Sequence, residues 1–381
     1  MIKLLHLLNS SARGGRELYV CDLIVELQKA GVENYVLCRK HSVIDTTCKK
    51  WNIPVIHTST NTKFSFNEVF RLSSFIKKNK IATLYSHSRN DVFTGSLIKL
   101  FSGIKHVHGI YMGTGPKKDL IHRFVYGRVD VLITSSEFSK KECENYLPVP
   151  QGAVKLIRYG RHINNYVRSE ETRKRIRKMM NTPDDKLVIA AMSRIDKGKG
   201  IDIFADCIHH LSPGEKSRVE FWMMGEPTVK SIDENGTIVY EEQAEKLHSK
   251  LIQLAKENSD LFKLIPFQKD YITYLNGMDV FVLPTHNEMY SLSVIDAMLM
   301  GLPVIGTNAG GTTEQIGNDE RGLLVTPGSS QSIAEAIRYL LNNPSETKLK
   351  GENAQTWALS QHDFTKTVAE VLRNLGTPEL Q

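Results

Sequence analysis

Short apolar runs alternate with longer amphipathic stretches along almost the whole chain. Residues 2–8, 34–38, 83–86, 106–108 and 131–134 have the length and composition of buried strands. The segments between them, such as 17–30 and 67–78, carry apolar residues at three- and four-residue spacing, as helices do. Strand, crossover helix, strand is the signature of a parallel sheet with helices on both faces. The pattern then restarts, with strands expected at 187–192, 219–224, 261–265, 280–283 and 303–306 and helices at 201–211, 242–258, 291–301 and 332–342. The polar, charge-rich stretch 164–186 reads as the join between the two halves, and 228–236, which has no clear period, reads as a loop. Two doubly wound units in tandem would place a ligand where strand C-termini meet.

At 381 residues, the chain is long for one domain and comfortable for two. Hydrophobic residues make up 41% and charged residues 24%, the balance of a globular protein with a substantial core. No apolar run approaches the roughly 20 residues of a membrane-spanning helix. The opening apolar run is interrupted by His6 and has no cleavage pattern of small residues, so a buried first strand is expected there rather than a secretory leader. The five cysteines are scattered without C-x-x-C spacing, which favours free thiols in a reducing cytosol over a structural zinc site. The formal charge of +7 favours an anionic partner without choosing among phosphate, nucleic acid and acidic membrane.

Four segments combine chemistry with position. Where the first strand meets the first helix, the run from Asn9 to Glu17 contains Gly14, Gly15 and Arg16. Paired glycines allow a backbone to approach a phosphate at a helix start, although a plain tight turn explains the segment equally well. After the first strand of the second half comes Ser193-Arg194-Ile195-Asp196-Lys197-Gly198-Lys199-Gly200, whose Arg194 and Lys199 suit a diphosphate; a solvated loop is the plain alternative. In the third segment, Glu288 follows a buried strand, Ser291 and Leu292 stand at a helix start, and Asp296 lies inside that helix among apolar neighbours. The fourth segment places Gly310, Gly311 and Glu314 between a strand and the next helix, where a turn with a helix cap is sufficient explanation.

With these residues in hand, the chain resembles the GT-B glycosyltransferases of the glycosyltransferase 4 family, the group of many bacterial polysaccharide and lipopolysaccharide sugar transferases. The likeness is strongest over 187–325, above all over 274–316, and colinear through the first half. It implies an α/β GT-B fold, two Rossmann-like domains whose parallel sheets face a central cleft. Expected bounds are 1–165 for the acceptor-binding domain and 166–356 for the nucleotide-sugar-binding domain, with a C-terminal helix at about 357–381 packing back on the first. The resemblance gives Arg194 and Lys199 the donor diphosphate, Glu288 the donor sugar, the Ser291 and Leu292 amides the sugar and phosphate, and Asp296 the ribose. Gly14 and Gly15 would lie near the donor phosphate, and His108 would face the donor sugar. Asp296 departs from the family's usual Glu, and Arg16 adds a charge beside the paired glycines.

The implied activity is sugar transfer with retained anomeric configuration, without a metal or other cofactor. The donor would be a nucleotide sugar, with UDP favoured over GDP, and the acceptor a glycan or lipid-linked sugar. The basic and aromatic run 117–128 suggests peripheral contact with an anionic membrane from the cytoplasmic side. An ordinary solvated helix face competes with that reading. Nothing interleaves basic residues with aromatics in the way nucleic-acid binding needs. A nucleotide-sugar epimerase and a non-catalytic nucleotide-sugar-binding scaffold on the same fold stand as alternatives.

Overall fold

The computed structural model describes residues 2–58, 60, 64–232 and 237–376. The chain forms two compact units, one of residues 1–160 and 364–381, the other of residues 161–363.

The first unit contains strands β1 (Lys3–Leu8), β2 (Glu33–Cys38), β3 (Val55–His57), β4 (Thr83–Ser86), β5 (Lys105–Gly109), β6 (Val131–Thr134) and β7 (Val154–Leu156). Its helices are α1 (Gly15–Lys29), α2 (Val43–Lys50), α3 (Phe66–Asn79), α4 (Asp91–Ser102), α5 (Leu120–Tyr126) and α6 (Glu137–Tyr146). The second unit begins with α7 (Glu170–Met179), β8 (Leu187–Met192), α8 (Ile201–Asp206), α9 (Pro213–Lys216) and β9 (Val219–Met224). It continues through β10 (Val229–Ile232), β11 (Ile238–Tyr240), α10 (Glu242–Glu257), β12 (Phe262–Ile265), α11 (Tyr271–Leu275), β13 (Val280–Leu283) and α12 (Leu292–Leu299). It closes with β14 (Val304–Thr307), α13 (Thr312–Ile316), β15 (Gly322–Val325), α14 (Ser330–Asn342) and α15 (Pro344–Gln361); a last helix, α16 (Phe364–Leu375), returns to the first unit.

Both main sheets are wholly parallel, with order β3-β2-β1-β4-β5-β6-β7 in the first and β12-β9-β8-β13-β14-β15 in the second. Counted within its own sheet, the second repeats the 3-2-1-4-5-6 order of the first. In each, the chain reverses direction beside the first strand, between β1 and β4 and between β8 and β13, and such switch points are where open α/β sheets bind ligands. The central strands are covered on both faces and therefore show no alternation: Leu4, Leu5, His6, Leu7 and Leu8 of β1 are all buried.

In the two main sheets, the three strands that periodicity misses, β3, β7 and β15, are all edge strands. Each has three or four residues and partly exposed positions, so none shows a continuous apolar run. Two segments depart from the sequence expectation. The charge-rich stretch 164–186 is not a join: α7 packs on the second unit, where Arg173 and the buried Arg177 both pair with Asp279. Arg177 also donates to the carbonyls of Gly277, Pro183, Asp184 and Lys186 at 3.0–3.2 Å. The expected loop 228–236 contains β10 and the start of an antiparallel pairing with β11, while residues 233–236 lie outside the described residues.

The chain leaves the first unit at Gly160 rather than after 165, and it re-enters at Phe364 rather than at 357. At that point the Arg161 N–H donates to the His362 carbonyl at 2.7 Å. The returning α16 buries Phe364, Val368, Val371, Leu372 and Leu375. It is tied to the first unit by Thr83 Oγ1 donating to the Leu375 carbonyl at 3.1 Å and by Thr367 Oγ1 donating to that of Arg158 at 3.0 Å. Residues 377–381 of the expected C-terminal helix lie outside the described residues.

Candidate active site

The second unit's switch point brings two loops together, one after β8 and one after β13. Asp196 starts a short 3-10 turn at Lys197–Lys199: its carboxylate accepts the Lys199 N–H at 3.0 Å and the Thr228 hydroxyl at 3.0 Å. Gly200 ends the turn with φ +64°, and a Cβ there would stand 2.0 Å from the Pro284 carbonyl oxygen. Only glycine fits, because the β13 loop lies directly against it. Thr285 completes the interlock, its hydroxyl donating to the Gly198 carbonyl at 3.0 Å.

This arrangement sets Lys199 Nζ 2.6 Å from Glu288 Oε2, both groups partly open to solvent. Arg194, with 46% of its side chain exposed, stands 3.9 Å from Asp196 and has ample freedom to reach a ligand. The two predicted cations thus share one loop, and one of them meets the predicted sugar-binding carboxylate directly. The paired glycines of the fourth segment serve this loop: Gly311 N–H donates to the Glu288 carbonyl at 2.8 Å. Gly310, at φ +58°, lies so close that a Cβ would be 2.3 Å from that same oxygen. Their work is to hold Glu288.

The start of α12 differs from expectation. Ser291 caps the helix, its hydroxyl accepting from Val294 N–H at 3.4 Å. Its own N–H, expected on the donor, is already taken by Gln315 Oε1 at 2.9 Å, and the Gln315 amide nitrogen donates back to the Ser291 carbonyl at 2.9 Å. Of the two amides expected on the donor, that of Leu292 is left, since it has no acceptor within the helix. Gln315 is fully buried and carried no signal in the sequence, since a glutamine in an amphipathic segment reads as solvated.

Asp296, expected to hold the ribose, is 3% exposed. Arg161 grips both of its oxygens, Nε to Oδ1 at 2.7 Å and Nη2 to Oδ2 at 3.2 Å, and Tyr166 donates to Oδ1 at 2.6 Å. Burial and this carboxylate together push the Tyr166 phenol well above its ordinary value. In this structure the carboxylate anchors 161–166 through Arg161 and Tyr166.

In the first unit, Gly14 precedes α1 and donates its N–H to Glu17 Oε2 at 3.1 Å, so that amide too is satisfied within the chain. Gly15 and Arg16 open the helix, with amides that have no intrahelical acceptor. Arg16 contacts Glu17 Oε1 at 2.5 Å through Nη2. His108 lies at the C-terminal end of β5 and is fully buried; burial pushes its imidazole down to about 4. Its Nδ1 lies 3.1 Å from the Ser86 carbonyl and 2.9 Å from the Ser86 hydroxyl, while its buried Nε2 meets no partner among the described residues.

Two doubly wound sheets in one chain, the second with a cation–carboxylate pair at its switch point, define the GT-B class of proteins. Two family profiles match: "Glycosyltransferase Family 4" over residues 13–164 and "Glycosyl transferases group 1" over 172–357. The chain belongs to the GT-B glycosyltransferases of family 4. A capsular polysaccharide biosynthesis glycosyltransferase of Staphylococcus aureus, CapM, is 30% identical over 173 residues, 45% of this chain and 41% of its own. A lipopolysaccharide core biosynthesis glycosyltransferase of Rhizobium meliloti, LpsE, is 24% identical over 199 residues, 51% of this chain and 52% of its own. The chain thus spans about half the length of the curated relatives it matches. Among solved structures, Anabaena HepE in complex with UDP-glucose superposes with a TM-score of 0.82 at 21% identity, covering 98% of this chain and 100% of that one.

Proposed function

We propose that this protein is a retaining, metal-independent glycosyltransferase that moves a sugar from a UDP-sugar to a glycan or lipid-linked acceptor in cell-surface polysaccharide or lipopolysaccharide synthesis. The observation that carries this reading is the Lys199–Glu288 contact at the switch point, built by two interlocked loops. Support for the donor comes from the neighbour crystallised with UDP-glucose, and for the pathway from relatives named for capsule and lipopolysaccharide synthesis.

In this mechanism, Arg194, Lys199 and the Leu292 amide receive the diphosphate and stabilise the charge that grows on it as the glycosidic bond breaks. Glu288, fixed through its backbone by Gly311, accepts hydrogen bonds from the sugar hydroxyls, and His108 serves as a further sugar contact. The acceptor oxygen attacks from the face the phosphate leaves, and the departing phosphate oxygen takes its proton. No second carboxylate beside the anomeric carbon is then required, in contrast to glycoside hydrolases. The two cations take the charge-neutralising part that a metal plays elsewhere.

No helix among the described residues is long and apolar enough to cross a membrane. Peripheral contact remains part of the proposal: Leu120 is 81% and Ile121 66% exposed on α5, beside Lys117, Lys118 and Arg123. The test is incubation of the purified chain with a panel of UDP- and GDP-sugars, with and without chelator, and with and without glycan acceptors. Transfer that needs acceptor, survives chelation and keeps the donor's anomeric configuration by NMR is the expected result. Donor turnover without acceptor would instead indicate an epimerase.

A further inference from the structure

The loop between β13 and α12, which carries Glu288, is tied to the segment after β14 at three places. Thr307 Oγ1 donates to the Thr285 carbonyl at 2.8 Å, Gly311 N–H donates to the Glu288 carbonyl at 2.8 Å, and Gln315 holds the backbone of Ser291. The tied positions fall at every third residue of the loop and at every fourth residue of 307–315. All these bonds end on main-chain atoms of the loop, so they fix its path whatever side chains it carries.

Gln315 makes the tie at the helix start, and it makes two bonds there. Its Oε1 accepts the Ser291 N–H and its Nε2 donates to the Ser291 carbonyl, each at 2.9 Å. An N–H can be met only by the oxygen and a carbonyl only by the nitrogen, so the partners set which way the amide faces. The Ser291 carbonyl belongs to the same peptide group as the Leu292 N–H. That group is planar, with the two bonds pointing in opposite directions, so a donor fixed on the carbonyl aims the N–H. Leu292 supplies the amide left for the donor at this helix start.

The support behind Gln315 is close-packed. Arg321 Nε donates to the Gln315 carbonyl at 2.7 Å, and its Nη2 donates to that of Glu314 at 3.0 Å. On the sheet side, a Cβ at Gly306 of β14 would stand 2.7 Å from Thr312 and 2.6 Å from Ile316 of α13. Gln315 itself is fully buried. An aliphatic side chain would fill such a position without the cost of taking an amide out of water, so packing alone does not account for a glutamine.

We propose that Gln315 is a positioning residue for the donor: by holding the carbonyl of the Ser291–Leu292 peptide, it aims the Leu292 N–H at the diphosphate. The inference rests on the donor reading above.

The experiment is calorimetric titration of UDP-glucose and GDP-glucose into the full chain and into Gln315→Met, Gln315→Glu and Leu340→Ala, at pH 5 and pH 8. Met has a similar length but can donate nothing to the carbonyl and carries no charge. Gln315→Met should bind the donor roughly 10- to 100-fold more weakly than the native chain at both pH values, the worth of one hydrogen bond to a charged group. A protonated Glu can accept from the N–H and donate to the carbonyl as Gln does, whereas an ionised one cannot donate. Burial favours the neutral form, so Gln315→Glu should match the native chain at pH 5 and weaken to the level of the Met variant at pH 8. Leu340→Ala removes a buried side chain from α14 instead and should lower the melting temperature while binding like the native chain. Native-like binding by Gln315→Met, or a Gln315→Glu that does not recover at pH 5, would overturn the inference. Equal weakening in Leu340→Ala would also overturn it, since general loosening would then suffice. A native chain that binds neither nucleotide sugar removes the donor reading and this inference with it, whereas native binding with unaffected variants removes this inference alone.

Discussion

Replacing Asp296 by Asn separates an anchor from a ligand. In the native chain, the carboxylate neutralises Arg161, whose side chain is 11% exposed, and accepts from Tyr166 as well. Asn keeps the size and one acceptor oxygen but leaves the guanidinium charge without compensation. Breaking a buried pair from one side costs about 3–5 kcal/mol, and the retained oxygen places this change near about 3 kcal/mol. For a unit of this size, about 2–4 °C of melting temperature per kcal/mol converts that to a loss of about 6–12 °C. The two units need not melt together, so the assay is scanning calorimetry with and without UDP, following the transition that UDP raises. The expected variant melts lower by this amount and keeps its UDP-induced rise, since both Asp296 oxygens are engaged by Arg161 and Tyr166. A variant that melts like the native chain and has lost the rise would refute the reasoning and return the carboxylate to the ribose.

Other expectations follow from the same geometry. Lys199→Ala should cut transfer by roughly 100-fold or more while leaving the fold intact, measured as kcat on a UDP-sugar, because it removes one charge-stabilising group; near-native turnover would remove that role. Gly200→Ala should destabilise the second unit by at least about 1–2 kcal/mol from the strained φ alone, and the added Cβ must push the Pro284 segment away, so donor binding should weaken in parallel. Acid should destabilise the first unit. Burial holds His6 and His108 neutral down to about 4, so below the usual value of 6.5 the unfolded chain binds protons that the folded one refuses. Their stabilisation is complete above that value and falls by about 1.4 kcal/mol per pH unit for each as pH drops towards 4, a trend that urea melts between pH 7.5 and 5 would register. Leu120→Ser with Ile121→Ser should abolish binding to phosphatidylglycerol vesicles; unchanged flotation of the double variant would clear α5 of membrane contact.

Fold class was legible because both sheets are parallel and covered, so their central strands announce themselves as apolar runs bounded by amphipathic helices. Edge strands such as β3 and β15 were not, since solvent takes one side and the pattern breaks down. The family resemblance gave Lys199 and Glu288 neighbouring parts of one donor, and the structure brings the two side chains into contact. Asp296 shows where such reasoning ends. Its position in the motif was readable, but its partner Arg161 lies 135 residues away and joins it only through the fold. The same holds for α7, whose run of charges suggests solvent until Asp279, about 100 residues on, is seen to gather Arg173 and Arg177.

The interlock between the β8 and β13 loops bears on how this scaffold can be re-engineered. A hydroxyl, a left-handed glycine and a carbonyl from two distant stretches of chain occupy one another's only available space. Grafting either loop alone from a relative with another donor preference would therefore misplace the lysine or the glutamate. Exchanges that move 193–200 and 284–291 together are the ones that should yield a working hybrid.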